Sequence, residues 1–299
     1  MIALVLLTLP ALDVDAFFAD ARRGGTDGSI AYQDPSPWER AMQGAWFTAV
    51  FAAADQPEAA ARLAPLARLG GLYAVVGEAQ GRWVMVVSDA PEYRHGSGAY
   101  LIRLGPVGAE AFVQAPHGWS DEGSFPIARE LFFALDARAL ATNTVHRRGR
   151  AGEEPTVPGD ADVAHRVEST FQMATCGWLR GHRRGTIVQV HGFADERVPF
   201  DVVASAGIPA GAGGGRPGWL EALGTALTSA LPGTRVALFP PEGERLAGLT
   251  NVQGRAAAAV GARFLHLELG ASLRRDLRRA TARAGLAAAL VEVLHAKEN

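Results

Sequence analysis

The apolar positions of the chain change period near residue 70. Between residues 14 and 69 they recur at helical spacing: Phe17, Phe18 and Ala21, then Trp38, Met42, Trp46, Val50 and Phe51, then Ala60, Leu63, Leu66 and Leu69. Side chains three and four apart share a helix face, so this pattern predicts two or three helices, interrupted by the Gly-rich stretch 24–28 and by Pro35 and Pro37. From Gly71 onward, short β-branched and aromatic runs alternate with Gly, Pro and Asp, as strands and turns do. Residues 72–76 and 82–87 predict a hairpin, and strands are expected at 99–104, 111–115, 139–145, 186–190, 200–205, 235–238 and 263–267. Helices are expected at 127–136, 219–231 and 271–295. Strands separated by helices predict an α/β fold with a mainly parallel or mixed central sheet flanked by helices. The domain organisation expected is an N-terminal helical extension over residues 1–70 and an α/β domain over residues 71–299.

Composition adds exclusions. A net charge of −2, from 29 basic and 31 acidic residues, gives no electrostatic reason to expect nucleic acid or an anionic membrane as a partner. A small-molecule or peptide-like substrate is the partner class left. Cys176 is the only cysteine, which rules out an intrachain disulfide and a thiolate-based zinc cluster, so any metal must use His and carboxylate. Residues 2–12 are apolar but lack a basic n-region and are too short to span a bilayer, so cytoplasmic and exported placements both stay open. Loops are expected at 147–160 and 206–218, rich in Gly, Pro and charge, and loops of that length often border a site.

Two strand ends match each other: Phe112-Val-Gln-Ala-Pro-His117-Gly and Ile187-Val-Gln-Val-His191-Gly. Each apolar strand delivers a histidine at its carboxyl end, where ligands of open α/β sheets bind. Two imidazoles held there suit one metal, and Glu122, five residues after His117, completes the three-ligand set of a catalytic zinc site, with Asp121 as the rival carboxylate. Glu268 ends the apolar strand Phe264-Leu-His266-Leu-Glu268, where an acid is costly to bury, and is the candidate general base. His266 shares its face and is either a neighbour of the site or a core histidine. Asn143 and Arg147 follow another strand end; Arg147, Asn143 and Arg274 are the candidates for substrate binding, since a guanidinium holds a carboxylate in bidentate fashion. Asp162 and His165 offer a supporting carboxylate or a pocket wall, and residues 251–255 another wall.

The run Ala115-Pro-His117-Gly-Trp-Ser-Asp-Glu122-Gly-Ser124 resembles the metal-binding signature of phage-type poly-γ-glutamate hydrolases, and Val188-Gln-Val-His191-Gly192 is similar to their second histidine strand. From Phe200 through Leu231-Pro-Gly to Glu268 the chain also resembles N-formylglutamate amidohydrolases. Both belong to the zinc-carboxypeptidase-like group, and the resemblance runs from about Phe112 to the C-terminus. It implies a zinc amidohydrolase with His117, Glu122 and His191 on Zn²⁺, Glu268 as the catalytic glutamate and a γ-glutamyl or N-acyl amino acid substrate. A metal-dependent esterase or deacylase, and a non-catalytic binding protein on a degenerate hydrolase fold, are the alternatives. A serine hydrolase is disfavoured by the lack of a Gly-x-Ser-x-Gly elbow, and the glycine-rich run 211–218 lacks the Lys-Ser/Thr continuation of a phosphate loop.

Overall fold

The computed structural model describes residues 10–26, 31–148, 161–209 and 215–295. Residues 2–9 of the apolar stretch, 149–160 of the first expected loop and 210–214 of the second thus lie outside the described residues. Among the described residues a nine-stranded mixed sheet forms from β1 (Leu72–Ala79), β2 (Arg82–Asp89), β3 (Ala99–Arg103), β4 (Ala109–Ala115), β5 (Ala137–Thr142), β6 (Thr186–Phe193), β7 (Val202–Ser205), β8 (Val236–Phe239) and β9 (Arg263–Gly270). Their order is β1-β2-β3-β5-β4-β6-β9-β7-β8. The centre, β5-β4-β6-β9, is parallel, while β1, β2 and β3 meander antiparallel onto β5, and β7 runs antiparallel to β9. The α/β expectation with a mixed sheet holds.

Helices α1 (Val14–Thr26), α2 (Pro37–Ala53), α3 (Pro57–Leu63), α4 (Ser124–Ala134), α5 (Thr170–Gly181), α6 (Gly218–Ala230), α7 (Val252–Val260), α8 (Ala271–Asp276) and α9 (Ala280–His295) cover the sheet. Period-two alternation along the strands divides the core. Val113, Val188 and Leu265 face α1, α4, α6 and α9, whereas Phe112, Ile187 and Phe264 face α2, α5 and α7. Helix α2 starts where sequence says it should: Ser36 and Glu39 cap each other's backbone amides around Pro37. Its Trp46, Phe47, Val50 and Phe51 are buried against Tyr100 and Phe112, so the N-terminal helices share the sheet's core.

The long final helix expected over 271–295 is two helices. Between α8 and α9 the amides of Arg278 and Arg279 reach back only three residues, to Arg275 and Asp276, and the Arg283 guanidinium takes the Leu277 carbonyl at 3.3 Å. Helices α5 and α7 were not expected.

Candidate metal centre

Strands β4, β6 and β9 lie side by side and parallel, so their carboxyl ends open on the same cleft, of about 710 Å³. His117 follows β4 by one turn, His191 sits within β6, and Glu268 on β9 is its register partner. The glycines after the histidines have packing reasons. A Cβ on Gly118 would lie 2.3 Å from Thr142 Oγ1, and one on Gly192 would lie 2.3 Å from the Arg274 guanidinium.

The ring nitrogens Nδ1 of His117 and His191 are 3.1 Å apart, and Asp121 Oδ2 is 3.6 Å from the first and 3.7 Å from the second. Ligand bonds of 2.0–2.1 Å in a tetrahedron put donor atoms about 3.3 Å from one another, close to these three separations. The far sides of both rings are anchored. His117 Nε2 lies 2.8 Å from Asp162 Oδ1, and His191 Nε2 lies 2.8 Å from the amide oxygen of Gln189. Both oxygens only accept, so both Nε2 atoms carry hydrogen and both Nδ1 lone pairs aim at the same point as the Asp121 carboxylate. Acceptors facing acceptors require a cation or a proton between them.

The titration directions agree with that reading. Burial pulls the His117 imidazole down, but its contacts with Asp121 and Asp162 outweigh this and hold it at about 9. Burial dominates for His191, whose neighbour His117 adds like-charge repulsion, and it falls to about 4. Asp121 and Asp162 are held far below the ordinary carboxylate range, against the effect of burial, by their bonds to the histidines. With no metal bound, one proton shared by the two rings fills the position. A buried donor set of two imidazoles and one carboxylate fits Zn²⁺.

Glu268 is 9% exposed, and its Oε2 has no hydrogen-bond partner among the described residues. Burial first, then the negative charge of Asp121, pushes its carboxyl up to about 8. His266, two residues earlier on the same face, packs against His191 with ring centroids 4.4 Å apart and the rings tilted by 31°, and its Nδ1 is likewise unpartnered among the described residues. The ligand atoms of His191, His266 and Glu268 lie within 4.8 Å of one another.

The structure separates the residues nominated from sequence. Asp121, not Glu122, points at the histidines. Glu122 has an 85% exposed side chain paired with Arg278 at 2.8 Å, because consecutive residues of the turn that closes on the His117 carbonyl face opposite ways. Arg147 lines the cleft, with Nη1 3.3 Å from His117 Nδ1 and 3.9 Å from Asp121 Oδ1. Asn143 does not reach the cleft: it is buried, donates to the Ala161 carbonyl and accepts from the Thr144 amide. Arg274 is also turned inward. Its guanidinium donates to the carbonyls of Glu122 at 2.7 Å, Phe193 at 3.1 Å and Leu269, next in chain to Asp121, near His191 and next to Glu268. It joins the three segments that carry the site.

Sequence reasoning missed the polar ladder beneath the histidines. Gln189 donates to Gln114 at 3.0 Å and to Gln253 at 3.3 Å; Gln114 donates to Thr175 at 2.9 Å, and Asn251 donates to Gln189. Its signal was legible: a glutamine inside each apolar histidine strand, at Gln114 and Gln189, must find partners when buried.

No family model matches the chain, and no curated protein matches it. Among solved structures it is similar to the gene product Atu2144 from Agrobacterium tumefaciens, with 12% identity, a TM-score of 0.40 and coverage of 63% of this chain and 90% of that one. It is also similar to a "putative metallopeptidase" from Shewanella amazonensis SB2B, with 15% identity, a TM-score of 0.38 and coverage of 75% and 87%. Likeness at this level says nothing of the cleft residues. Among the described residues no helix is long and apolar enough to cross a membrane.

Proposed function

We propose that this protein is a Zn²⁺-dependent hydrolase that cleaves an amide bond in a carboxylate-bearing substrate of the γ-glutamyl or N-acyl amino acid type. The observation that carries the reading is the convergence of His117 Nδ1, His191 Nδ1 and Asp121 Oδ2 on one point, with both rings anchored from behind. His117, Asp121 and His191 would hold the metal, with Asp121 in the place first given to Glu122. A bound Zn²⁺ supplies Lewis acidity to a substrate oxygen and acidifies water at its open position.

The remaining work falls to the chain. Glu268 lines the same cleft, beside the ligand set, and is the base. Its proton affinity is raised first by burial and then by Asp121; a cation held beside Asp121 would offset the second effect and favour the carboxylate form that accepts a proton from an attacking water. The same group then carries that proton to the leaving nitrogen. Arg147, one-third exposed at the cleft wall, holds the substrate carboxylate. The amide bond and the substrate type rest on the sequence resemblance.

Metal content tests the reading. Purified protein should take up one equivalent of Zn²⁺. His117→Ala, His191→Ala and Asp121→Asn should each lower the affinity more than about 100-fold, while Glu122→Gln leaves it unchanged. Uptake equal in wild type and His191→Ala would sink the proposal.

A further inference from the structure

Across the His117 ring from Asp121, the Asp162 carboxylate also serves a second histidine. His165 Nδ1 lies 3.1 Å from Asp162 Oδ1, and His165 Nε2 lies 3.0 Å from the Thr250 hydroxyl, 85 residues away in the chain. All three residues line the cleft. The carboxylate can only accept, so Nδ1 carries the hydrogen, Nε2 presents its lone pair, and Thr250 O–H donates to it. Hydroxyl, imidazole and carboxylate in that order, with the base within hydrogen-bond reach and its tautomer set from behind, is the arrangement that activates an oxygen nucleophile.

The backbone holds this arrangement in place. The Val252 amide donates to the Ala164 carbonyl at 2.9 Å, tying the start of α7 to the segment that carries Asp162 and His165. Arg255 Nη2 takes the Thr250 carbonyl at 3.1 Å. His165 is 46% exposed and Thr250 is exposed, so an electrophile reaches the hydroxyl without any opening of the fold. Arg197 and Arg245 line the same cleft and add positive charge to it.

We infer that Thr250, His165 and Asp162 form a nucleophilic centre that accepts acyl groups from carboxylic esters, sharing Asp162 with the His117 ring but needing no metal. Thr250 Oγ forms a bond to the acyl carbon while its proton passes to His165 Nε2. The ester C–O bond breaks, and the alcohol leaves with that proton. Water then attacks the acyl-threonine, gives a proton to His165, and releases the carboxylic acid as the Thr250 hydroxyl is restored. The absent Gly-x-Ser-x-Gly elbow does not bear on this centre, since its parts come from two distant segments.

A fluorophosphonate probe tests it directly, since the Oγ–P bond forms as the P–F bond breaks and fluoride leaves. Incubated with the full chain, the probe should add one phosphonyl group, mapped to Thr250 by peptide mass spectrometry. His165→Ala should slow labelling about 100-fold, Thr250→Val should abolish it, and Thr250→Ser should label at least as fast as wild type. Equal zinc uptake by Thr250→Val and wild type shows that the variant is folded, and keeps this test apart from the metal proposal. No adduct on Thr250, labelling at the wild-type rate in His165→Ala, or labelling that vanishes with a chelator would each overturn the inference.

Discussion

The parallel strands carry a charged cluster at each end, and the two are built to opposite effect. At the amino ends of β4 and β5, Arg138, 1% exposed, donates to the carbonyls of Arg103 and Gly105 and to the carboxylates of Asp55 and Glu110. Both oxygens of Glu110 are used, one by Arg138 at 3.0 Å and one by His182 at 3.0 Å. Burial acts to raise its carboxyl, but these partners prevail and set it at about 2. At the carboxyl ends, Glu268 keeps an unpartnered oxygen among the described residues and is pushed up to about 8. Acceptors there face acceptors, at His117 and His191, and the cluster opens on a cleft. The amino-end carboxylate is satisfied by its own neighbours, whereas Glu268 Oε2 at the carboxyl end has no partner among the described residues. Arg138 Nε and His182 Nε2 at the amino end also lack partners among the described residues, so what sets the carboxyl end apart is an unpartnered carboxylate oxygen, with a raised proton affinity, on an open cleft.

That contrast can be broken experimentally. The largest effect should come from Arg138→Met, which strips the amino-end cluster of its central donor. Urea unfolding should report a loss of about 3 kcal/mol, the low end for a broken buried pair because Asp55 and Glu110 reach solvent. Zinc stoichiometry should not change. If zinc binding is lost along with stability, the two ends are not independent.

Arg274→Met probes the other end. Its guanidinium ties the Glu122, Phe193 and Leu269 carbonyls together behind the metal position, so zinc affinity should fall about 10- to 100-fold by competition titration. The metal-free fold should melt cooperatively. An unchanged affinity would show that the strand ends hold their alignment without this clamp.

The smallest effect is in acid. Glu110 has a lowered pKa in the folded state, so its contribution is present above its usual value of 4.5 and is lost as pH falls through about 2. The stability gap between wild type and Glu110→Gln should therefore be steady above pH 4.5 and close between 4.5 and 2. With a side chain 43% exposed, the gap should stay below about 1 kcal/mol. A gap that widens in acid would reverse the assignment.

Local backbone geometry explains what was legible in the chain. Alternation of two placed Phe112 and Val113, Ile187 and Val188, Phe264 and Leu265 on opposite faces, and the structure sorts each pair into the two cores accordingly. Helices α5 and α7 carried readable start signals in the Ser169 and Asn251 caps, with Gly261 as a left-handed stop for α7; the alanine run of α7 hid its periodicity, whereas Phe171, Ala174, Thr175, Trp178 and Leu179 of α5 stand at helical spacing and were legible. Strand ends bearing His117 and His191 were visible for the same local reason.

Strand order was not visible, because pairing between distant segments leaves no periodic trace. Only the fold sets β4, β6 and β9 side by side and so brings His191 opposite Glu268 and Gln114 opposite Gln189. It also chooses between neighbours: the turn after β4, held by Arg274 from 152 residues away, sends Asp121 inward and leaves Glu122 in solvent. Asp162, which fixes the His117 ring, lies 45 residues from it. The sequence by itself determined which side chains could do chemistry and which strand ends would carry them. Tertiary packing decided which of them meet, because side-chain direction in a turn follows long-range contacts that no local period encodes.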